Sequence, residues 1–343
     1  MLRTGEDHLL SWLRRRLATP LIGDDAAILP ALGPSVVTVD SQIAGVHFPP
    51  ELAAADLARR LLAVNLSDLA AMGATPAYAF LALSASPGFD HKAFFGSFLA
   101  ACRRHRVILA GGDLARHPGG TIATLTLIGT KDADTHWLRR GGAEPGHDLW
   151  LGGTVGESAA GRILIQRGAR LAAGRVDLPA SCEAFSTPLR TAARRAVRRH
   201  LKPEPQLALG RWLGTQPAEI AGIAGIAAID ISDGVARDLH RLCRESNVGA
   251  VIVAEALPLA VHFTDLCKAL GIVDPLALAL TGGEDYVLLF TLPPELAPPP
   301  ELGGQRIGMI TPRRRRARPG IFIVRQGVRR TLADTGWDHL SED

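Results

Sequence analysis

The chain has 343 residues, of which 47% are hydrophobic and 21% charged, with a formal net charge of +4 at pH 7. This length allows two domains with cores of ordinary size and excludes a disordered or low-complexity chain. The longest uncharged apolar stretch, around Ile220 to Ile229, is too short to cross a bilayer, and the amino terminus reads as an amphipathic helix broken by charges rather than as a signal peptide.

In chain order, LIGDDAAILP (21–30) sets two adjacent carboxylates, Asp24 and Asp25, inside an apolar run, where Gly-Asp-Asp is turn chemistry. SVVTVD (35–40), TIATLTLIG (121–129) and DLWLGG (148–153) read as strands, and helical spacing covers 56–72, 91–105, 157–167, 188–201 and 234–246. The expected fold class is therefore α/β or α+β. HWLRRGGAEPGH (136–147) reads as a linker. It divides a first domain, 1–135, from a second, 148–311, with a basic tail at 312–343. A faint echo supports two halves: Asp24-Asp25 and AGGDLAR (110–116) in the first, DISDG (230–234) and TGGEDY (281–286) in the second.

Lysine occurs only at 92, 131, 202 and 268, so most positive charge is arginine, clustered at Arg194-Arg195, Arg198-Arg199 and Arg313 to Arg316. Without interleaved aromatics these read as solvated faces rather than a nucleic-acid footprint. The cysteines, Cys102, Cys182, Cys243 and Cys267, form no CxxC and have no histidine at ligand spacing. Neither zinc nor a disulfide framework is indicated, and a reducing cytoplasm fits best.

The acidic residues carry the chemistry. In DLARRLLAVNLSDLAAMGATP (56–76), Leu57, Leu61, Val64 and Met72 form one helical stripe, and Asp68 falls on it with Asn65 one turn earlier. This is either a core carboxylate satisfied by Asn65 or the backbone, or a metal ligand. Asp40, Asp113, Asp230 with Asp233, and Glu284 with Asp285 are each expected where a strand hands over to a loop. Carboxylates gathered at strand ends repel unless a cation holds them, and hard oxygen donors favour Mg²⁺ over zinc. Magnesium held this way usually accompanies phosphates. No Gly-Lys pair and no GxG occur, so P-loop, protein-kinase and Rossmann cradles are excluded.

Taken together, IGDDAAIL, VDSQIAGVHF, AVNLSDLAAMGATP, LAGGDLAR, RRGGAEPGHDLWLGGTVGESAAG, IDISDGVARDL, LTGGEDYVLLFTLPP and GWDHL occur in the order seen in the thiamine-monophosphate kinase family, and the resemblance runs from Gly5 to Trp337. That family belongs to a superfamily of ATP-binding synthetases with aminoimidazole ribonucleotide and selenophosphate synthetases. The resemblance implies a cytoplasmic homodimer of two-domain subunits, with the N-terminal sheet at the dimer interface and a C-terminal tail closing over the acceptor site. It implies transfer of the ATP γ-phosphoryl group directly onto thiamine monophosphate, giving thiamine diphosphate, without a membrane or nucleic-acid partner.

Matched motif by motif, the resemblance implies that Asp25, Thr38, Val39, Asp40, Asp68, Asp113, Asp230 and Asp233 bind several Mg²⁺ ions, while Asp24 supports the turn. ATP would meet Phe95, Gly112, Asp113, Arg140 and Ser232, and the acceptor His47, Glu284 and Trp337. Val39 stands where the family often has Thr, which is harmless if only its carbonyl reaches the metal. Phe95 stands where it often has Tyr. Read from the residues alone, His47 is equally a hydrogen-bonded loop histidine, Trp337 an anchor for the tail, and Phe95 helix core.

The reactive cysteine of a selenophosphate synthetase and the C-terminal cysteine of a hydrogenase-maturation protein are absent. A non-catalytic thiamine-phosphate or nucleotide sensor on the same fold is the alternative, but a sensor is expected to lose metal ligands, and here every acidic position is kept.

Overall fold

The computed structural model describes residues 5–17, 27, 29–172, 174–216, 225–313 and 320–337. Asp24 and Asp25 lie outside the described residues. The chain divides into two compact units, Met1–Leu69 with Thr75–Lys131 and Ala70–Ala74 with Asp132–Asp343. Each holds one main sheet with helices, a mixed α/β arrangement.

In the first unit, α1 (Gly5–Arg16), β1 (Val36–Ile43), α2 (Ala54–Ala71), β2 (Thr75–Ala85), α3 (His91–His105), β3 (Ile108–Arg116) and β4 (Ile122–Thr130) follow in order. The strands lie side by side as β1-β4-β2-β3. Only β2 and β3 are parallel, as the α3 crossover between them requires. In β4, Ala123, Leu125 and Leu127 are fully buried while Thr124, Thr126 and Ile128 are half-buried. That alternation gives the sheet one core face. Side chains of α2 meet that face: buried Arg60 donates to Gln42 Oε1 at 2.8 Å, and Asn65 accepts the Asp40 N–H at 3.1 Å. On the other face, Val37, Ile128, Tyr78 and Ile108 stand in register across all four strands, none of them buried.

The second unit contains β5 (Asp148–Leu151), α4 (Glu157–Gln166), the hairpin β6 (Arg170–Ala172) and β7 (Arg175–Asp177), α5 (Thr187–Leu201), α6 (Leu207–Gly214), β8 (Ala228–Asp230), α7 (Val235–Glu245) and β9 (Gly249–Val253). It continues with α8 (Phe263–Ala269), α9 (Pro275–Thr281), β10 (Leu288–Leu292), β11 (Gln305–Thr311), β12 (Ile321–Arg325) and β13 (Val328–Thr331). The sheet order is β13-β12-β9-β11-β5-β10-β8. All five residues of β10, LLFTL, are buried, as expected of an inner strand covered on both faces. Helices α4 and α5 approach closely at Gly161, where a Cβ would stand 2.1 Å from the Ala196 carbonyl oxygen.

Two boundaries differ from the sequence expectation. The 136–147 segment is bonded into the second unit: the Ala228 N–H donates to the Arg139 carbonyl at 2.8 Å, and the Gly146 N–H to that of Ile310 at 2.9 Å. Its glycines and proline make turns rather than a free linker. The region from 312 onward is likewise not all tail, because β12 pairs in parallel with β9 and carries β13 as the sheet edge. No helix among the described residues is long and apolar enough to cross a membrane.

Candidate active site

In the first unit, β1 and α2 bring Thr38, Asp40 and Asp68 together. The Thr38 hydroxyl donates to Asp68 Oδ2. Asn65 accepts the main-chain N–H of Asp40 while its amide donates to the Leu61 carbonyl at 2.8 Å. Asn65 thus fixes the strand rather than satisfying Asp68. Val39 turns its side chain to solvent, 57% exposed. His47 accepts the Ile43 N–H at Nδ1, at 3.1 Å, which fixes its ring in the turn after β1.

Asp113 does not join this group. It lies on β3, and β4 and β2 stand between β3 and β1, about 14 Å at the usual strand spacing. It is registered with Ala82 and through it with Thr124 and Ser41, whereas Asp40 is registered with Leu125 and Leu81, so the two carboxylates also fall on opposite faces. Asp40 and Asp113 lie inside their strands rather than at strand ends, because edge strands of an open sheet leave half their positions in water. Gly112 is required by close approach: a Cβ there would stand 1.9 Å from the Leu81 carbonyl oxygen. Phe95 is a core residue here, 3% exposed with its ring edge-on to Phe94 at 5.4 Å, so its face is not offered to an adenine.

In the second unit the ISDG and TGGED segments interlock. Glu284 N–H donates to the Ser232 carbonyl at 2.7 Å, and Tyr286 N–H to that of Ile231 at 2.9 Å. Gly234 has φ 113°, and Gly283, at φ 67°, sits so close that a Cβ would stand 2.6 Å from the Ser232 carbonyl oxygen. Trp337 joins them, its N–H donating to the Asp233 carbonyl at 3.0 Å and its own carbonyl accepting from Arg237. Ser232, Asp233, Glu284 and Trp337 therefore share one neighbourhood at the end of β8, beside Asp230. Arg140 is elsewhere. Its carbonyl accepts from Ser246 Oγ at 2.9 Å, just past the C-terminal end of α7, whereas Asp233 precedes its N-terminus.

Charge is balanced locally. Arg241 reaches back from α7 to Asp233 Oδ2 at 2.6 Å and Asp238 Oδ1 at 2.8 Å. Asp238, fully buried, accepts the Asp233 N–H at 3.1 Å. Burial, reinforced by the Asp233 charge, raises the Asp238 pKa to about 6. Asp285 caps α4, accepting the Gly156 N–H at 2.8 Å and the Ser158 N–H at 3.4 Å. Burial lifts its pKa to about 7 despite those bonds and Arg199. All four cysteines are free and buried, and burial pushes the Cys102 and Cys243 thiols to about 12.

Among the described residues no three His, Cys, Asp or Glu side chains are grouped as a metal site. Within each unit the donors form small sets of one or two carboxylates. These sets fit a hard cation by chemistry, since Mg²⁺ commonly takes one or two carboxylates and completes its shell with water and substrate phosphate.

The family model for AIR synthase related protein, N-terminal domain, matches residues 23–130. Over 336 residues the chain is 35% identical to the thiamine-monophosphate kinase of Salmonella typhimurium, covering 93% of this chain and 91% of that protein. The chain belongs to the thiamine-monophosphate kinase family. The crystal structure of the family enzyme from Stenotrophomonas maltophilia superposes with a TM-score of 0.72 at 32% identity, covering 95% of this chain and 96% of that one. AaThiL, solved in complex with AMPPCP and TMP, gives a TM-score of 0.73 at 25% identity over 99% of both chains. In this thiamine-monophosphate kinase family member, Asp238, Arg241 and His200, which the sequence did not single out, stand against Asp233 and Glu284. The i,i+3 spacing of Asp238 and Arg241 was a usable signal. Nothing local pointed to His200, whose Nδ1 stands 3.3 Å from Glu284 Oε2.

Proposed function

We propose that this protein transfers the γ-phosphoryl group of ATP directly to the phosphate of thiamine monophosphate, releasing thiamine diphosphate and ADP. The observation that carries this reading is family identity extending over 93% of the chain, so that it includes both units. The acceptor phosphate is already largely dianionic near neutral pH and needs little help from a general base. What two polyphosphates need is alignment and relief of their mutual repulsion.

The chain's own residues supply the positioning. Thr38, the Val39 carbonyl, Asp40 and Asp68 would form one oxygen set, to which the family resemblance adds Asp25 from outside the described residues; Asp230 and Asp233 would form another; Asp113 stands with Gly112 on β3. These would hold Mg²⁺, which when bound supplies charge neutralisation of the phosphates. Gly112, Asp113, Arg140 and Ser232 would be the ATP contacts, and Phe95, buried in α3, is not among them. Glu284 and Trp337 would face the cationic thiamine rings, with His47 as a third acceptor contact. The enzyme works by electrostatics and alignment, not through a side-chain nucleophile.

A homodimer and a cytoplasmic location complete the reading. The open face of the first unit's sheet carries the row Val37, Ile128, Tyr78 and Ile108, with Val37 62% exposed, and an apolar face of this kind suits a second copy. Four free thiols suit a reducing compartment. The test is ADP release by purified protein with thiamine monophosphate, with free thiamine, and with EDTA. Turnover is expected only with the monophosphate and divalent metal. Equal turnover of free thiamine, or full activity in EDTA, contradicts the reading.

A further inference from the structure

We infer that His200 is a positioning residue that holds the Glu284 carboxylate toward the acceptor through its Nδ1 nitrogen, with Ser158 completing the set. This rests on the proposed role of Glu284 in meeting thiamine monophosphate. His200 lies in the last turn of α5, 4% exposed. Its Nδ1 stands 3.3 Å from Glu284 Oε2 and 3.2 Å from Ser158 Oγ.

Ser158 and Glu284 are each fixed from behind. The Ser158 N–H donates to buried Asp285 in the first turn of α4. The Glu284 main chain is pinned by its N–H to the Ser232 carbonyl at 2.7 Å and adopts φ 56°, a left-handed conformation that a glutamate does not adopt without such constraints. Its side chain remains 23% exposed, so a ligand can reach the carboxylate from the open side while His200 holds the inner side.

Only a protonated Nδ1 can donate to the carboxylate, which sets the ring as a donor toward Glu284 whether neutral or cationic. With Nδ1 protonated, the Ser158 oxygen accepts a share of the same N–H, and from 3.2 Å it holds the imidazole in the plane that makes this contact. A carboxylate pre-set in this way loses less rotamer freedom when the acceptor binds. The consequence belongs to acceptor binding and not to phosphoryl transfer or to ATP.

Three variants test this: His200→Gln, His200→Asn and Ser158→Ala, with steady-state kinetics for each substrate and near-ultraviolet circular dichroism as the check on folding. The amide nitrogen of Asn stands as many bonds from Cβ as Nδ1 does, whereas that of Gln corresponds to Nε2. H200Q is expected to raise the KM for thiamine monophosphate about tenfold, with kcat and the ATP KM within about twofold. H200N is expected to stay within about threefold of wild type and S158A to fall between the two. H200Q is also expected to add nothing in a Glu284→Gln background. Equal impairment by Asn and Gln, a parallel shift in the ATP KM, or an S158A protein with unchanged acceptor KM overturns the inference, and the S158A result decides it if H200Q does not fold. A wild-type protein inactive on thiamine monophosphate overturns the functional reading and this inference together. An active wild type whose acceptor KM ignores all three substitutions overturns only the inference.

Discussion

The main-chain N–H of Trp337 donates to the Asp233 carbonyl at 3.0 Å, which sets a tail residue against the loop that follows β8. Gly336 makes this approach possible, since a Cβ there would stand 2.4 Å from the same oxygen. The indole is 41% exposed, with the Arg162 guanidinium 5.5 Å from its ring centre.

An exposed indole beside Glu284's loop can stack on a cationic thiazolium, worth about 0.5–2 kcal/mol. Trp337→Ala is expected to raise the KM for thiamine monophosphate several-fold, with little change in kcat or in the ATP KM. Because the main chain supplies the anchoring bonds, thermal stability should change little. A lower melting temperature with an unchanged acceptor KM would make Trp337 a packing anchor and remove it from the site.

Asp68→Asn keeps an oxygen for the Thr38 hydroxyl to donate to and removes one charge from the set formed with Asp40. Stability measured by calorimetry without metal is expected to hold or rise as repulsion is relieved, while turnover falls by orders of magnitude. A large loss of stability with activity retained would return Asp68 to a purely structural role.

Burial holds the Asp285 pKa at about 7, above the ordinary aspartate value of 3.8. The folded state therefore binds a proton that the unfolded state has lost between those two values. The contribution is fully present below the unfolded pKa and is lost as pH rises through about 7. Asp285→Asn removes this titration. Denaturation midpoints of wild type and D285N are therefore expected to move apart between pH 5 and pH 8, the wild type losing ground as pH rises. Parallel profiles for the two proteins would show that Asp285 titrates alike in both states.

Much of this architecture was legible in the residues. The expected helix at 91–105 coincides with α3, and 56–72 matches α2 to within two residues, because both carry a clear apolar stripe. ISDG and TGGED read as places where a strand hands over to a loop, which holds for ISDG after β8, whereas TGGED follows helix α9, and at both Gly234 and Gly283 admit backbone where a Cβ would collide. Strand order was not legible. Asp40 and Asp113 look equivalent in sequence, yet β1 and β3 occupy opposite edges of their sheet, a result of how β4 inserts between β1 and β2. The clamp of Arg241 on Asp233 arises only once α7 folds back over its own N-terminal loop. Residues 321–331 read as a tail because β13 is exposed throughout, which hides the pairing that places it at the sheet edge.

The central claim is direct transfer between two phosphates, and ³¹P nuclear magnetic resonance of a mixture of ATP, Mg²⁺, thiamine monophosphate and catalytic protein tests it in one measurement. The two coupled resonances of thiamine diphosphate are expected to grow in step with ADP, with no inorganic phosphate above background. ADP appearing with an equal amount of inorganic phosphate, while thiamine monophosphate is unchanged, would contradict the account and leave an ATP hydrolase.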